Sequence, residues 1–212
     1  MANLLVLWDV DYTLVSADGL GTRLYEAVFR EMFGRELLAV APKAGRTDRA
    51  IVGDTLALAG VARTEVDAFL AALARVPRRP RRPGPLRPLP GAAEAIAALA
   101  AAGMRQSVLT GNVRPLAALK LRRAGLGAGL DLDAGAYGDV HEVRAELVTA
   151  ARRAARLVYG LDFPGDATVL IGARRWTLRP RWPPGPARWP SRPAATRRRA
   201  WSRRARTWSC PT

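Results

Sequence analysis

The chain has 212 residues, 49% of them apolar, and a formal net charge of +16. That length and apolar content support one domain, or one domain carrying an insert, with a substantial core. A single cysteine, Cys210, excludes an internal disulfide and a cysteine-based metal site, while no apolar run is long enough to span a bilayer and no signal-peptide pattern opens the chain, so a cytoplasmic protein with no membrane partner is expected.

Residues 4–10 read as a buried strand, in which Leu4-Leu5-Val6-Leu7-Trp8 passes directly into Asp9-Val10-Asp11-Tyr12-Thr13. Side chains alternate along a strand, so Asp9 and Asp11 emerge on one side at its C-terminal end. Two carboxylates placed together are costly unless a positive charge lies between them. A hard cation such as Mg2+, often with a phosphate, is the usual one. An N-cap or turn pair of acids is the plain alternative. The D-x-D-x-T run resembles the first motif of the haloacid dehalogenase (HAD) superfamily, in its phosphoglycolate-phosphatase-like subgroup. The resemblance implies that Asp9 is a nucleophile forming an aspartyl-phosphate, and that Asp11 protonates the leaving oxygen and then activates water. It also implies that Thr13 belongs to the phosphate-binding loop and that Mg2+ is held by Asp9 and by the Asp11 backbone carbonyl.

Gly19 and Gly21 predict a polar loop, followed by apolar positions at helical spacing over 22–33 and two further helices over 47–60 and 64–76. Six prolines between 77 and 90 mark a connector. The segment 16–87 therefore reads as a helical cap inserted into a core made of residues 1–15 and 88–172. Within it, Gly45-Arg46-Thr47-Asp48 resembles the cap segment that reaches over the site in phosphoglycolate-phosphatase-like proteins. Arg46 could touch a substrate's distal anion, and N-capping by Thr47 or Asp48 is the alternative use of the same run.

Helices are expected over 91–102, 113–125 and 141–159, and strands over 105–109, 134–137 and 167–171. Alternating strands and helices predict an α/β fold with a parallel, doubly wound sheet, whose sites lie beyond the carboxyl ends of the strands. There, Thr110 with the amides of Gly111 and Asn112 makes an anion cradle at a helix start, resembling the family's second motif. Lys120, one of two lysines in the chain, lies in the following helix, where the family places its motif III lysine. Its ammonium would balance phosphate and carboxylate charge. The rival Lys43 lies in the cap, and Asp139 and His141 read as loop residues.

The last forty residues differ in kind. Residues 173–212 hold 12 arginines, seven prolines, five of the six tryptophans and no acid, leaving 22 basic and 18 acidic residues before them. A basic disordered tail or an arm that stacks on RNA are two readings, and out-of-frame translation fits better. The break follows Ala167-Thr168-Val169-Leu170-Ile171-Gly172, a strand after which the family carries an acid directly after the glycine and another four residues on. With one base lost, GGC GAC GCG ACG CTG GAC becomes GGC GCG CGA CGC TGG AC, which gives Gly172-Ala173-Arg174-Arg175-Trp176-Thr177 as found. Trp176-Thr177 in the restored frame must encode Leu, Val or Met followed by Asp.

Together these readings predict a Rossmann-like HAD core with a parallel sheet, an inserted helical cap and an irregular C-terminal forty residues. The expected function is Mg2+-dependent hydrolysis of a small phosphorylated metabolite, weakened by loss of the last acidic motif. A phosphoglucomutase or a dehalogenase on the same fold are alternatives, and retention of both Asp9 and Asp11 argues against the latter. A basic nucleic-acid-binding protein acting through the tail is the alternative of another class.

Overall fold

The computed structural model describes residues 4–16, 19–75 and 86–172, together with the backbone of 206–209. Most of the connector expected over 77–90 lies outside these residues, as does the 173–212 tail apart from that one stretch.

Strand β1 (Leu5–Trp8) is buried along its whole length. It lies between β2 (Arg105–Val108) and β3 (Thr168–Gly172) and runs parallel to both, with Trp8 level with Val108 and Ile171. Its continuous apolar character follows from having both faces covered. Val6 and Trp8 pack with Ala92 and Ile96 of α4 (Ala92–Ala101) and with Ala117 and Leu121 of α5 (Arg114–Arg123). Leu5 and Leu7 pack with Leu147, Ala151 and Ala155 of α6 (Glu146–Tyr159). The Trp8 indole donates to Gln106 Oε1 at 3.0 Å, and Gln106 donates to the Ile96 carbonyl at 2.9 Å, so the buried amide is satisfied. A four-residue backbone strand, β4 (Arg206–Ser209), pairs antiparallel with β3 in the sheet order β2-β1-β3-β4. An edge strand presents a row of unpaired backbone groups that another segment can pair with.

The three helices expected between the first strand and Pro90 are α1 (Leu20–Phe33), α2 (Asp48–Leu58) and α3 (Val66–Arg75). Tyr25, Phe29, Val52, Leu56, Phe69 and Leu73 form their shared core, which is closed by Val113, Leu116 and Leu119 at the start of α5. The chain leaves the sheet region at Val15 and returns at Pro88, where the two strands of the connection bridge antiparallel. No helix among the described residues is long and apolar enough to cross a membrane.

Three local expectations are corrected. Gly21 is in the first turn of α1, and only Gly19 sits before it, at φ 72°. The strand expected over 134–137 is reduced to one parallel bridge, Leu109 to Ala136, because Leu132–Ala134 closes a 3-10 turn capped by Asp131. The helix expected over 141–159 starts at Glu146. His141 Nδ1 accepts from the Val143 amide at 2.9 Å, which holds residues 141–145 in a turn.

Gly138 has no room for a side chain. A Cβ there would lie 1.7 Å from the Gly111 carbonyl oxygen and 2.8 Å from the Asp48 amide nitrogen. Backbone cannot swing aside as a side-chain tip can, so Gly138→Ala is expected to cost at least the roughly 1–3 kcal/mol of ordinary overpacking. Urea unfolding of the variant measures this.

Candidate active site

The carboxyl edge of the sheet gathers most of the expected residues. Asp9 follows β1, and its amide donates to the Ile171 carbonyl at 2.9 Å, which fixes it beside β3. Its Oδ1 accepts from the Val10 amide at 2.9 Å and from Arg144 Nη2 at 2.8 Å, while Oδ2 makes no hydrogen bond among the described residues. The Asp9 and Arg144 side chains are 13% and 11% exposed. Burial pushes the Asp9 carboxyl up to about 6; Arg144 opposes this and Asp11 adds to it. The same burial lowers the Arg144 guanidinium against the pull of Asp9.

Asp11 is held by different groups. Lys120 Nζ donates to its two oxygens at 2.7 and 2.8 Å, and Asn112 Nδ2 donates to Oδ2 at 2.8 Å. Lys120 also donates to Asn112 Oδ1 at 2.7 Å. Thr110, fully buried, accepts from Asn112 Nδ2 at 2.8 Å and so orients that amide. The turn at residues 10–15 is tight. Tyr12 has φ 60°, the only positive value at a non-glycine among the described residues, and the Thr13 amide reaches the Val10 carbonyl. For a bulky residue this backbone state is strained.

Lys120 thus reaches the acids, as the sequence suggests, but its partner is Asp11. The cation on Asp9 is Arg144, which sequence reasoning passes over. The signal was weak: one arginine among many, inside a run read as helix. Arg46 goes elsewhere. Its guanidinium meets Asp54 at 2.5 Å and the Pro42 and Ala50 carbonyls at 3.1 Å, and it is the Arg46 carbonyl that faces Arg144 and Gly111. Thr47 is the N-cap of α2, accepting from the Ala50 amide at 3.2 Å. Asp48, at the next position, turns to the site instead: Tyr25 donates to its Oδ1 and the Val113 amide to its Oδ2, both at 2.8 Å. Lys43 donates to Thr22 and lies 5.5 Å over the Tyr25 ring.

Two oxygen donors suit a hard cation: the second oxygen of Asp9 and the Asp11 carbonyl, which accepts no hydrogen bond among the described residues. Mg2+ commonly uses one or two protein oxygens and completes its shell with water and substrate phosphate, so the pair fits. No group of three or more His, Cys, Asp or Glu side chains placed for a metal occurs among the described residues.

Asp48 gives a pH test. Burial is the largest influence on it and raises its carboxyl from 3.8 to about 6, against the hydrogen bonds from Tyr25 and Val113. Between pH 3.8 and about 6 the folded state therefore holds a proton that the unfolded chain releases, so this contribution to stability is fully present below pH 3.8 and is lost as the pH rises to about 6. The melting temperature of Asp48→Asn relative to the unsubstituted chain should be higher at pH 7 than at pH 5.

The profile of the haloacid dehalogenase-like hydrolase family matches residues 6–174. Solved structures are similar at low identity. CbbY from Rhodobacter sphaeroides in complex with phosphate matches at 18% identity and TM-score 0.52, over 78% of this chain and 76% of that one. A variant of CbbY in complex with xylulose-(1,5)bisphosphate matches with the same figures. A predicted phosphatase from Clostridium acetobutylicum matches at 13% identity and TM-score 0.54, over 80% of this chain and 76% of that one. A search of the curated proteins gives no match.

Proposed function

From the premise that this chain belongs to the haloacid dehalogenase-like hydrolase family, we propose that it hydrolyses phosphate monoesters of small organic molecules through an aspartyl-phosphate on Asp9. The observation that carries this reading is the division of labour at one strand end. Two carboxylates two residues apart are each gripped by a separate cation, Arg144 on Asp9 and Lys120 on Asp11.

In the first step an Asp9 oxygen bonds to phosphorus, the ester P–O bond breaks, and the departing oxygen takes a proton from Asp11. In the second, water attacks the phosphorus and gives its proton to Asp11, and the bond to Asp9 breaks. Arg144, partly buried, and Lys120, buried, lie beside the acids and offset the negative charge of carboxylate and phosphate. In the Thr110–Asn112 turn, at the start of α5, the Gly111 amide is left for the phosphate, since the Thr110 amide donates to the Ala136 carbonyl and the Asn112 amide to the Thr110 hydroxyl. When bound by Asp9 and the Asp11 carbonyl, Mg2+ supplies the charge that lets a carboxylate approach a phosphate.

The α1–α3 helices serve as a cap over the core of residues 1–15 and 88–172. CbbY binds phosphate and a sugar bisphosphate, which supports a phosphorylated metabolite here. Residues 173–212 are out-of-frame translation. The change in composition after Gly172 and the end of the family match at residue 174 both support this. A protein so altered turns over slowly.

The test is to mix the chain with Mg2+ and phosphate esters labelled at phosphorus, quench in acid and map the label. Label on the peptide containing Asp9, released by base, is expected. Hydrolysis that proceeds without any protein-bound label would sink the reading.

A further inference from the structure

Asp48 is a buried acid that the proposed reaction leaves without a task. It is not needed to start its own helix, since Thr47 already caps α2. It instead serves α5, whose N-cap position is Val113, a residue with no acceptor to offer. The Val113 amide is taken by Asp48 Oδ2 at 2.8 Å, and the Asp48 amide donates to the Gly111 carbonyl at 2.6 Å. A carboxylate at a helix start is favoured by the orphan amides and the dipole. The phenol of Tyr25, from α1, holds the other carboxylate oxygen at 2.8 Å. Asp48 thus grips the residues on either side of Asn112, the side chain that joins Lys120, Thr110 and Asp11.

We propose that Asp48 and Tyr25 are positioning residues: by fixing Gly111 and Val113 they set the Asn112–Lys120 pair on Asp11, the acid/base carboxylate. Two neighbouring contacts tie the start of α2 to Asn112 through Gly138. The Arg49 amide donates to the Gly138 carbonyl, and the Gly138 amide to the Asn112 carbonyl, each at 2.9 Å. Thr47 adds a bond to the Glu142 carbonyl at 3.0 Å. The inference rests on the hydrolase reading only for the task given to Asp11.

The experiment compares the full chain with Asp48→Ala and Asp48→Asn. Nuclear magnetic resonance follows the Lys120 ammonium and the Asn112 side-chain amide, and steady-state kinetics follows a chromogenic phosphate ester. Asp48→Ala should move both signals and lower kcat by about 10- to 100-fold, the scale of a misplaced catalytic group, with KM changed less than about twofold on the same argument. Asp48→Asn, which keeps an acceptor for Val113, should restore both signals and most of kcat. The proposal is overturned if Asp48→Ala lowers the melting temperature without moving those signals, or if Asn is as damaging as Ala. Absence of turnover in the unsubstituted chain would count against the hydrolase reading, while the resonance comparison still decides this one.

Discussion

Asp9→Asn is expected to reduce hydrolysis of a phosphate monoester to the uncatalysed background while leaving the fold intact. Two effects bear on the second half of that statement. Removing one partner of a buried ion pair ordinarily costs about 3–5 kcal/mol, because the other charge is stranded. Here Arg144 would be that stranded charge, at 11% exposure. Against this, the site disfavours the Asp9 carboxylate: its pKa is pushed from 3.8 to about 6 even with Arg144 present. At 1.36 kcal/mol per unit, that is about 3 kcal/mol in favour of a neutral group. Asparagine is neutral, keeps the shape, and retains an oxygen for the Val10 amide and Arg144. That preference already contains the lost attraction to Arg144, so neutralising Asp9 should not lower the melting temperature. Asp11→Asn should cost about 10²–10⁴ in kcat, the usual worth of a general acid or base. Comparable melting curves with activity lost in Asp9→Asn support the assignment; undiminished hydrolysis by that variant would refute it.

What the sequence made legible was local. The strand-to-acid run at Leu5–Trp8 and Asp9 is one segment, and its pattern of burial needs no distant partner to be read. The Thr110 turn and the helix carrying Lys120 are likewise read from neighbours in the chain. Helix spacing placed α1, α2 and α3 within a few residues, because an amphipathic face repeats every turn. The residues that were missed act at a distance. Arg144 reaches Asp9 across 135 positions and Asp48 reaches Val113 across 65. Arg144 was also hidden by a helix start placed too early, since the turn at 141–145 depends on a histidine ring accepting an amide. Lys120 meets Asp11, and which acid it meets depends on Asn112, whose side chain bridges the two loops. The one-residue bridge at Ala136 shows the same limit: a strand is a pairing, and apolar residues do not reveal how many of them find a partner.

Restoring one base after codon 172 should give a protein that binds Mg2+ at least about tenfold more tightly, the low end of what a lost supporting group costs a metal site, and that is both more stable and more active. The geometry explains why an acid at that point matters. In the parallel pairing of β1 with β3, Trp8 is level with Ile171, so Gly172 is level with Asp9. An aspartate encoded directly after Gly172 would therefore enter the same sheet edge as Asp9 and add a charged oxygen to the two that fit the cation. Each carboxylate added to a hard-cation site raises its affinity. The stability argument is separate. Val169 and Leu170 are only partly buried, and an open cleft lined by Leu7, Leu109, Val148, Leu170 and Ile171 runs beside Asp9 and Arg144. Among the forty residues after Gly172 twelve are arginine, none is Val or Ile and one is Leu, a composition poorly suited to covering such a surface, whereas the restored frame keeps an apolar residue, Leu, Val or Met, at each tryptophan position and reads every arginine codon as another residue. Covering apolar area contributes about 25 cal/mol per Å², so even a few hundred Å² gives several kcal/mol. Calorimetric titration with MgCl2, thermal melting and the rate on one ester, each on both proteins, test the three parts. A restored protein no better than the original in metal affinity would remove the out-of-frame account. Salt-sensitive RNA binding by the original, lost on deleting 173–212, would assign the basic tail a use of its own.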